Sequence, residues 1–360
     1  MATLPRGLGV LQVEPTDRCN LACPMCAPHA ESWPTVHGIP KGLMPLALYE
    51  RVLAGLVAGD CHFDHVILQW LGDPSLHPEL ERMVGLAGRE LGKRVGHVRV
   101  DSNALLLTEA RLDRMLEAKA REVPLLLVFT IDAATAATYR RVKGREGLER
   151  VRRHVRHLLR NRAGAGRVDV QLQFVVQPGN AHEAGAFLAY WAALAECHAS
   201  EGGHVEVMFK RLSVGGGARG QAAADALYER TLREQAVAAR AGDGFSVSVW
   251  EERPWQADDG HTMRGPCPGA WLTPVVRHDG QLLMCCADLG SELALGSLAE
   301  HDFRTLWEGE RATRLRMQHL AGRFEGVCAA CGGVNWYRMP PGAAEATRRR
   351  AAELNIPGGR

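Results

Sequence analysis

Cysteine is the residue type whose placement promises chemistry in this chain. Of ten cysteines, Cys19, Cys23 and Cys26 fall in the stretch DRCNLACPMC, while Cys267, Cys285, Cys286, Cys328 and Cys331 form a second group and Cys61 and Cys197 stand alone. Thiolates at such short spacing are ligands for zinc or for an iron–sulfur cluster. With zinc, His29 completes a Cys3His set beside the first three. With a four-iron cubane, three thiolates leave one iron without a protein ligand and open to a small molecule. The CAAC pair, Cys328 and Cys331, suits a zinc site as well. Cys61 and Cys197 read as ordinary buried thiols.

Such ligands need a scaffold. A chain of 360 residues that is 46% hydrophobic buries one large domain or two. The net charge of +2 and a pI near 8.1, with no dense lysine or arginine run, require no nucleic acid as partner. The arginines of 150–162 read as a solvated helix face. Neither a secretory signal nor a run of roughly 18 apolar residues is visible, so the expectation is a cytoplasmic protein without a membrane partner. In a reducing compartment, cysteines at this density argue for metal or redox chemistry over disulfides.

Short apolar runs at 8–14, 65–71, 97–101, 124–132, 168–176 and 204–212 read as strands. Segments of helical period at 46–58, 78–91, 108–120, 135–160, 182–200 and 220–241 follow them in turn. This alternation predicts parallel strands with right-handed crossovers, and ligands gather at the carboxyl ends of such strands. The cysteine triplet directly follows the first strand.

On these residues the sequence resembles the radical S-adenosylmethionine superfamily, whose CxxxCxxC signature corresponds to Cys19, Cys23 and Cys26 in an NLxCPxC context. Further landmarks recur in order. LGDPSLHP (71–78) resembles the glycine-rich segment that receives the methionine amino group, placing Gly72 and Asp73 there. DSNALLLT (101–108) resembles the third-strand TNG segment, with Ser102 and Asn103. TIDAATAATYRRVKG (130–144) resembles the SLD…Y…RG stretch, so that Thr130, Asp132 and Lys143 face the ribose and the methionine carboxylate. His77 and Pro78 read as shaping the turn into the next helix. The resemblance implies an α/β fold: a partial (β/α)6 barrel over residues 1–243, followed by a small α+β twitch-type iron–sulfur domain over 244–340 and a tail over 341–360.

The second cysteine group resembles the SPASM/twitch extension in its single-cluster form. It implies Cys267, Cys285, Cys328 and Cys331 as ligands, with Cys267 and Cys285 on a hairpin turning at 278–280, although four thiolates suit zinc too. Cys286 is left over as a spare ligand, a packed thiol or a hydrogen-atom donor. The implied cofactors are a [4Fe-4S] cluster that binds S-adenosylmethionine, S-adenosylmethionine itself, and one auxiliary [4Fe-4S] cluster. Flavodoxin or ferredoxin is the implied source of the electron. The implied reaction is hydrogen-atom abstraction by a 5′-deoxyadenosyl radical, ending in dehydrogenation or in redox-neutral epimerisation, elimination or decarboxylation.

A first cluster cysteine at residue 19 leaves no space for the N-terminal peptide-recognition domain of many peptide-modifying relatives. The expected substrate is therefore a small molecule: a sugar, aminocyclitol or nucleoside intermediate of natural-product biosynthesis. Peptide or protein modification is the alternative, and an iron–sulfur electron carrier or a zinc scaffold is the non-enzymatic one. Gln171, Gln173, Lys210 and Arg211 are candidates for substrate contact. Residues 211–220 read as a loop over the barrel mouth, 252–265 as a linker, and the chain past Arg338 as a peripheral helix or frayed end.

Overall fold

Seven apolar runs pair side by side in the order in which the chain makes them. The computed structural model describes residues 7–26, 41–198, 202–213, 218–250, 265–331 and 337–358. Strands β1 (Gly7–Val13), β2 (His62–Leu68), β3 (Val95–Ser102), β4 (Leu125–Thr130), β5 (Val168–Val176), β6 (Val205–Arg211) and β7 (Phe245–Val249) are each parallel to the next. Between them run helices Leu46–Ala58, Leu80–Leu91, Glu109–Ala118, Leu148–Asn161, Ala184–Glu196 and Ala218–Glu234. Parallel strands cannot be joined by tight hairpins, and right-handed crossovers in an unbroken strand order put every helix on the same face.

That face holds the apolar core, including Val98 and Val100 of β3 and Leu172 and Phe174 of β5. By the strand period of two, Arg99, Asp101, Gln171 and Gln173 point to the opposite, concave face. Arg99 on β3 lies within electrostatic reach of Glu206 and Lys210 on β6, three strands along. A flat sheet would hold those strands roughly 14 Å apart, so this reach reflects the curl of a partial barrel.

The sheet departs from expectation in instructive places. β7 lies beyond the boundary expected at 243 and adds a seventh parallel strand. β2 ends at Leu68, because Trp70 and Leu71 leave the sheet to pack against the carboxyl-terminal hairpin. The helical segment expected over 135–160 is two helices, Ala136–Lys143 and Leu148–Asn161, parted where Gly144 takes φ +77°. This left-handed C-cap is a conformation glycine adopts without steric cost.

The hairpin forms from β8 (Val275–Val276) and β9 (Gln281–Leu283), and β10 (Ala294–Ser297) pairs antiparallel with β9. β8 pairs in parallel with β1, so the full sheet reads β10-β9-β8-β1-β2-β3-β4-β5-β6-β7. Trp271, Phe303, Trp307 and Ala343 join the same hydrophobic core as the barrel. The end of the chain packs as a helix, Ala343–Glu353, with the Trp271 indole N–H donating to Thr347 Oγ1 at 3.0 Å. Among the described residues no helix is long and apolar enough to cross a membrane.

Candidate active site

Because β1 to β4 are parallel, the loops after them open at one end of the barrel. Cys19, Cys23 and Cys26 follow β1, Gly72 and Asp73 follow β2, Ser102 closes β3 with Asn103 next, and Thr130 closes β4 just ahead of Asp132. Asp73 ties three of these loops together. Its carboxylate accepts from Ser75 N (3.0 Å), Ser75 Oγ (2.5 Å), Ser102 Oγ (3.0 Å) and Asn103 N (2.8 Å). Its own amide donates to Arg18 O at 2.9 Å, beside the first cysteine. Asn103 Nδ2 donates to Asn20 Oδ1 at 2.8 Å inside the cysteine loop. The carboxylate is thus committed to fixing loops, which leaves the amino-group contact implied for residues 72–73 to their backbone.

Gly72 shows how close this packing is. A Cβ there would stand 2.2 Å from Thr16 O and 2.5 Å from Arg18 O. His77 takes the turn role expected of it: one ring nitrogen pairs with Met44 O at 2.9 Å, and the other accepts from Glu79 N at 3.1 Å.

Asp132 and Lys143 find each other. Lys143 Nζ lies 2.5 Å from Asp132 Oδ2, both side chains are buried, and Val175 N donates to Asp132 Oδ1 at 2.7 Å. Burial works against the Lys143 charge, but the Asp132 carboxylate and the nearby Cys23 and Cys26 thiols outweigh it and raise its pKa. Asp132 holds φ +61° to make this contact, a strain of the kind that gathers at functional loops. Burial likewise pushes the three thiols up, Cys26 to about 11, while Lys143 pulls each of them back. They stay protonated at neutral pH, so taking up iron must displace their protons.

The second group surrounds a cavity of about 340 Å³ that Cys267, Cys285, Cys328 and Cys331 all line. Cys267 precedes the short helix Gly269–Leu272, Cys285 follows β9, and Cys328 lies on a second short helix, Val327–Ala330, just ahead of Cys331. Burial pushes Cys328 up to about 12. The thiol of Cys286 and burial together raise Cys285. Cys286 does not itself line this cavity, but its thiol pairs with that of Cys285 and lies within electrostatic reach of Cys267 and Cys331, while its carbonyl accepts from the Trp70 indole at 3.0 Å. Among the described residues no three His, Cys, Asp or Glu side chains converge as ligands of a single ion. Four thiols around one cavity and three along one loop, with a lysine at hand to offset their charge, fit the corners of iron–sulfur cubanes.

Several placements were not legible in the sequence. Asp288 and His319 also line the cavity. Burial raises the Asp288 carboxyl and lowers the His319 imidazole, and His319 Nδ1 has no hydrogen-bond partner among the described residues. No motif marks either residue. Arg162, read as part of a solvated face, is fully buried and donates to the carbonyls of Val168, His198 and His204. Cys197 is exposed where a buried thiol was expected, whereas Cys61 is buried. Gln171 and Gln173 form a chain on the concave face, with Gln173 Nε2 donating to Gln171 Oε1 at 2.5 Å and Gln171 donating on to Glu206. His29, most of the linker at 252–265 and the centre of the loop at 211–220 lie outside the described residues.

Comparison with known proteins agrees with this geometry. The profile of the Radical SAM superfamily matches residues 13–180, and that of the SPASM iron–sulfur cluster-binding domain matches 267–332. The two together span well over half of the chain. The GTP 3′,8-cyclase of Synechococcus sp. (strain CC9902) is 28% identical over 143 residues, which are 39% of this chain and 37% of that protein. The chain therefore spans little more than a third of that relative's length. Among solved structures, native anSMEcpe with bound AdoMet has a TM-score of 0.59 at 16% identity, covering 94% of this chain and 90% of that one. Streptococcus suis SuiB bound to precursor peptide SuiA has a TM-score of 0.58 at 11% identity, covering 92% of this chain and 71% of that one. At these identities the two structures speak for the fold. The chain belongs to the radical SAM superfamily, as an enzyme that uses S-adenosylmethionine with a [4Fe-4S] cluster and carries a SPASM domain for an auxiliary iron–sulfur cluster.

Proposed function

We propose that this enzyme abstracts a hydrogen atom from a small polar metabolite of the sugar, aminocyclitol or nucleoside class and releases an oxidised product. The observation that carries the reading is the concave face of the barrel. Arg99 and Asp101 pair at 2.6 Å, and Gln173, Gln171, Glu206 and Ser248 form one hydrogen-bonded chain across β5, β6 and β7. A polar, internally satisfied wall suits a small hydroxylated substrate held at the mouth above it. The partial likeness to a cyclase of GTP supports a small-molecule substrate as well.

When bound, the first cluster and S-adenosylmethionine supply a 5′-deoxyadenosyl radical, and the auxiliary cluster supplies a place for one electron. The chain's own part is positioning. Asp73 fixes the loops after β2 and β3, and the Asp132–Lys143 pair fixes the loop after β4 beside the thiols. Cys286, whose thiol pairs with that of Cys285 at the edge of the auxiliary cavity, reads as a packed thiol.

The test is anaerobic incubation with a reductant such as flavodoxin or ferredoxin, S-adenosylmethionine and a panel of sugars, aminocyclitols, nucleosides and peptides. The expected result is 5′-deoxyadenosine formed together with a product two hydrogens lighter than a small-molecule substrate. Product from peptides alone would transfer the reading to peptide modification. No 5′-deoxyadenosine under any condition would leave an electron carrier. Cys286→Ala is expected to keep forming product. Loss of product with both clusters spectroscopically intact would instead mark Cys286 as a hydrogen-atom donor in a redox-neutral reaction.

A further inference from the structure

The carboxylates around the barrel mouth are already spoken for. Asp132 is paired with Lys143 at 2.5 Å, Asp101 with both nitrogens of the Arg99 fork at 2.6 Å, and Asp225 with Arg211 at 3.1 Å. Glu206 accepts from Gln171 and Ser248. One cation remains among these groups. Lys210, next to last in β6, is half-buried and makes no hydrogen bond or ion pair among the described residues. What it has is the Trp250 ring, whose centroid lies 6.0 Å from Nζ.

Lys210 stands at the ligand-gathering end of the barrel. It is in register with Val175, whose amide donates to Asp132. Burial and Arg99 both push its ammonium down, with Asp101 and Asp132 pulling the other way. A half-desolvated ammonium without a hydrogen-bonded counter-ion is destabilising, and an arriving anion relieves that cost. The indole beside it offers a flat apolar surface for the body of the same ligand.

Lysine is scarce here, which sharpens the point. The chain has five: Lys41, Lys93, Lys119, Lys143 and Lys210. Lys119 donates to the carbonyls of Ala120 and Ala165, and Lys143 holds Asp132. We infer that Lys210 is the seat of an anionic oxygen group of the substrate, phosphate or carboxylate, with Trp250 stacking beside it. The inference rests on the small-molecule reading above and narrows it to substrates that carry such a group.

Five lysines make a direct test practical. Holoenzyme labelled with ε-¹³C-lysine gives one carbon resonance per lysine, and Lys210→Met identifies the one that matters. Inorganic phosphate and acetate are titrated separately at an ionic strength held constant with chloride. The Lys210 resonance is expected to move saturably with one of them, while Lys41 and Lys93 stay where the salt puts them. The anion that moves it tells phosphate from carboxylate. Movement no larger than that of Lys41 overturns the inference. So does a shift saturated by S-adenosylmethionine alone that abolishes the response to both anions, because it would assign Lys210 to the cofactor. The measurement needs no turnover, so its failure is distinct from the absence of 5′-deoxyadenosine that would sink the proposed activity.

Discussion

Ala104 occupies the place of the glycine in the family's third-strand TNG segment, and it does so at φ +64°, fully buried. Its amide donates to Ser102 Oγ at 3.0 Å and its carbonyl pairs with His154 Nδ1 at 2.9 Å, so the strained backbone is held from both sides. Replacing it by glycine removes the left-handed penalty at the cost of some chain entropy. Ala104→Gly is expected to stabilise the protein by about 0.5–1 kcal/mol in denaturant unfolding. Lys143 presents the opposite case. Lys143→Met strands the Asp132 carboxylate in the interior and is expected to cost about 3–5 kcal/mol, with the added change Asp132→Asn recovering part of the loss. Unfolding midpoints of the single and double variants check this.

Elements bring such residues to the same place, and two junctions between them are open to test. The turn after β2 lies against the cysteine loop, with Gly72 in contact. Gly72→Ala must push the Thr16 and Arg18 carbonyls away, at a cost of about 2 kcal/mol. Because those carbonyls flank Cys19, the variant is expected to lose the iron of the first site while keeping that of the second. Iron assay on reconstituted protein reads this out. The hairpin of β8 and β9 is tied to the end of β1 by His278 Nδ1 and Glu14 Oε2 at 3.2 Å. The hydrogen bond to Glu14 raises the His278 pKa against the opposing effect of burial, with Asp17 and Asp279 adding to it. A raised imidazole stabilises the fold fully below its unfolded value of about 6.5, and that contribution fades as pH rises through the folded value. Wild type should therefore exceed His278→Gln in stability by more at about pH 5.5 than at about pH 8.5. An equal difference at both pH values would refute the tie.

For the molecule as a whole, two sets of thiols on one continuous sheet predict two clusters. Anaerobically reconstituted protein is expected to hold about eight irons, four per cubane. Replacing Cys328 and Cys331 by alanine should leave about four and spare cleavage of S-adenosylmethionine without substrate, whereas replacing Cys19, Cys23 and Cys26 should abolish it. About four irons together with bound zinc in wild type would return the second site to zinc. The shared core, in which Trp271, Phe303 and Trp307 continue the packing of the barrel, makes one cooperative unfolding transition the expected thermal behaviour.

The sequence by itself determined what repeats and what is punctuated. Alternating strand and helix periods lay open because a strand that packs one face on the core carries apolar residues at every second position, as in VDVQLQFVV, which forms β5 over the residues expected of it. The cysteine spacings were equally open, because ligands of one cluster must come from short loops or short hairpins. What only the tertiary structure decided is which polar groups spend their bonding capacity on each other. Asp73, Asp132 and Lys143 look alike in the sequence as cofactor contacts. In the fold, one carboxylate gathers four donors and the other two residues neutralise each other, leaving Lys210 as the cation at the mouth with no partner among the described residues. The same holds for Trp70 and Arg162. Apolar character continued an apparent strand past Leu68 and charge suggested a surface, whereas packing against the hairpin and carbonyls meeting at one guanidinium gave each its place. Local pattern constrains which face is buried, but the pairing of charges depends on distances between strands far apart in the chain, and only the curled sheet sets those distances.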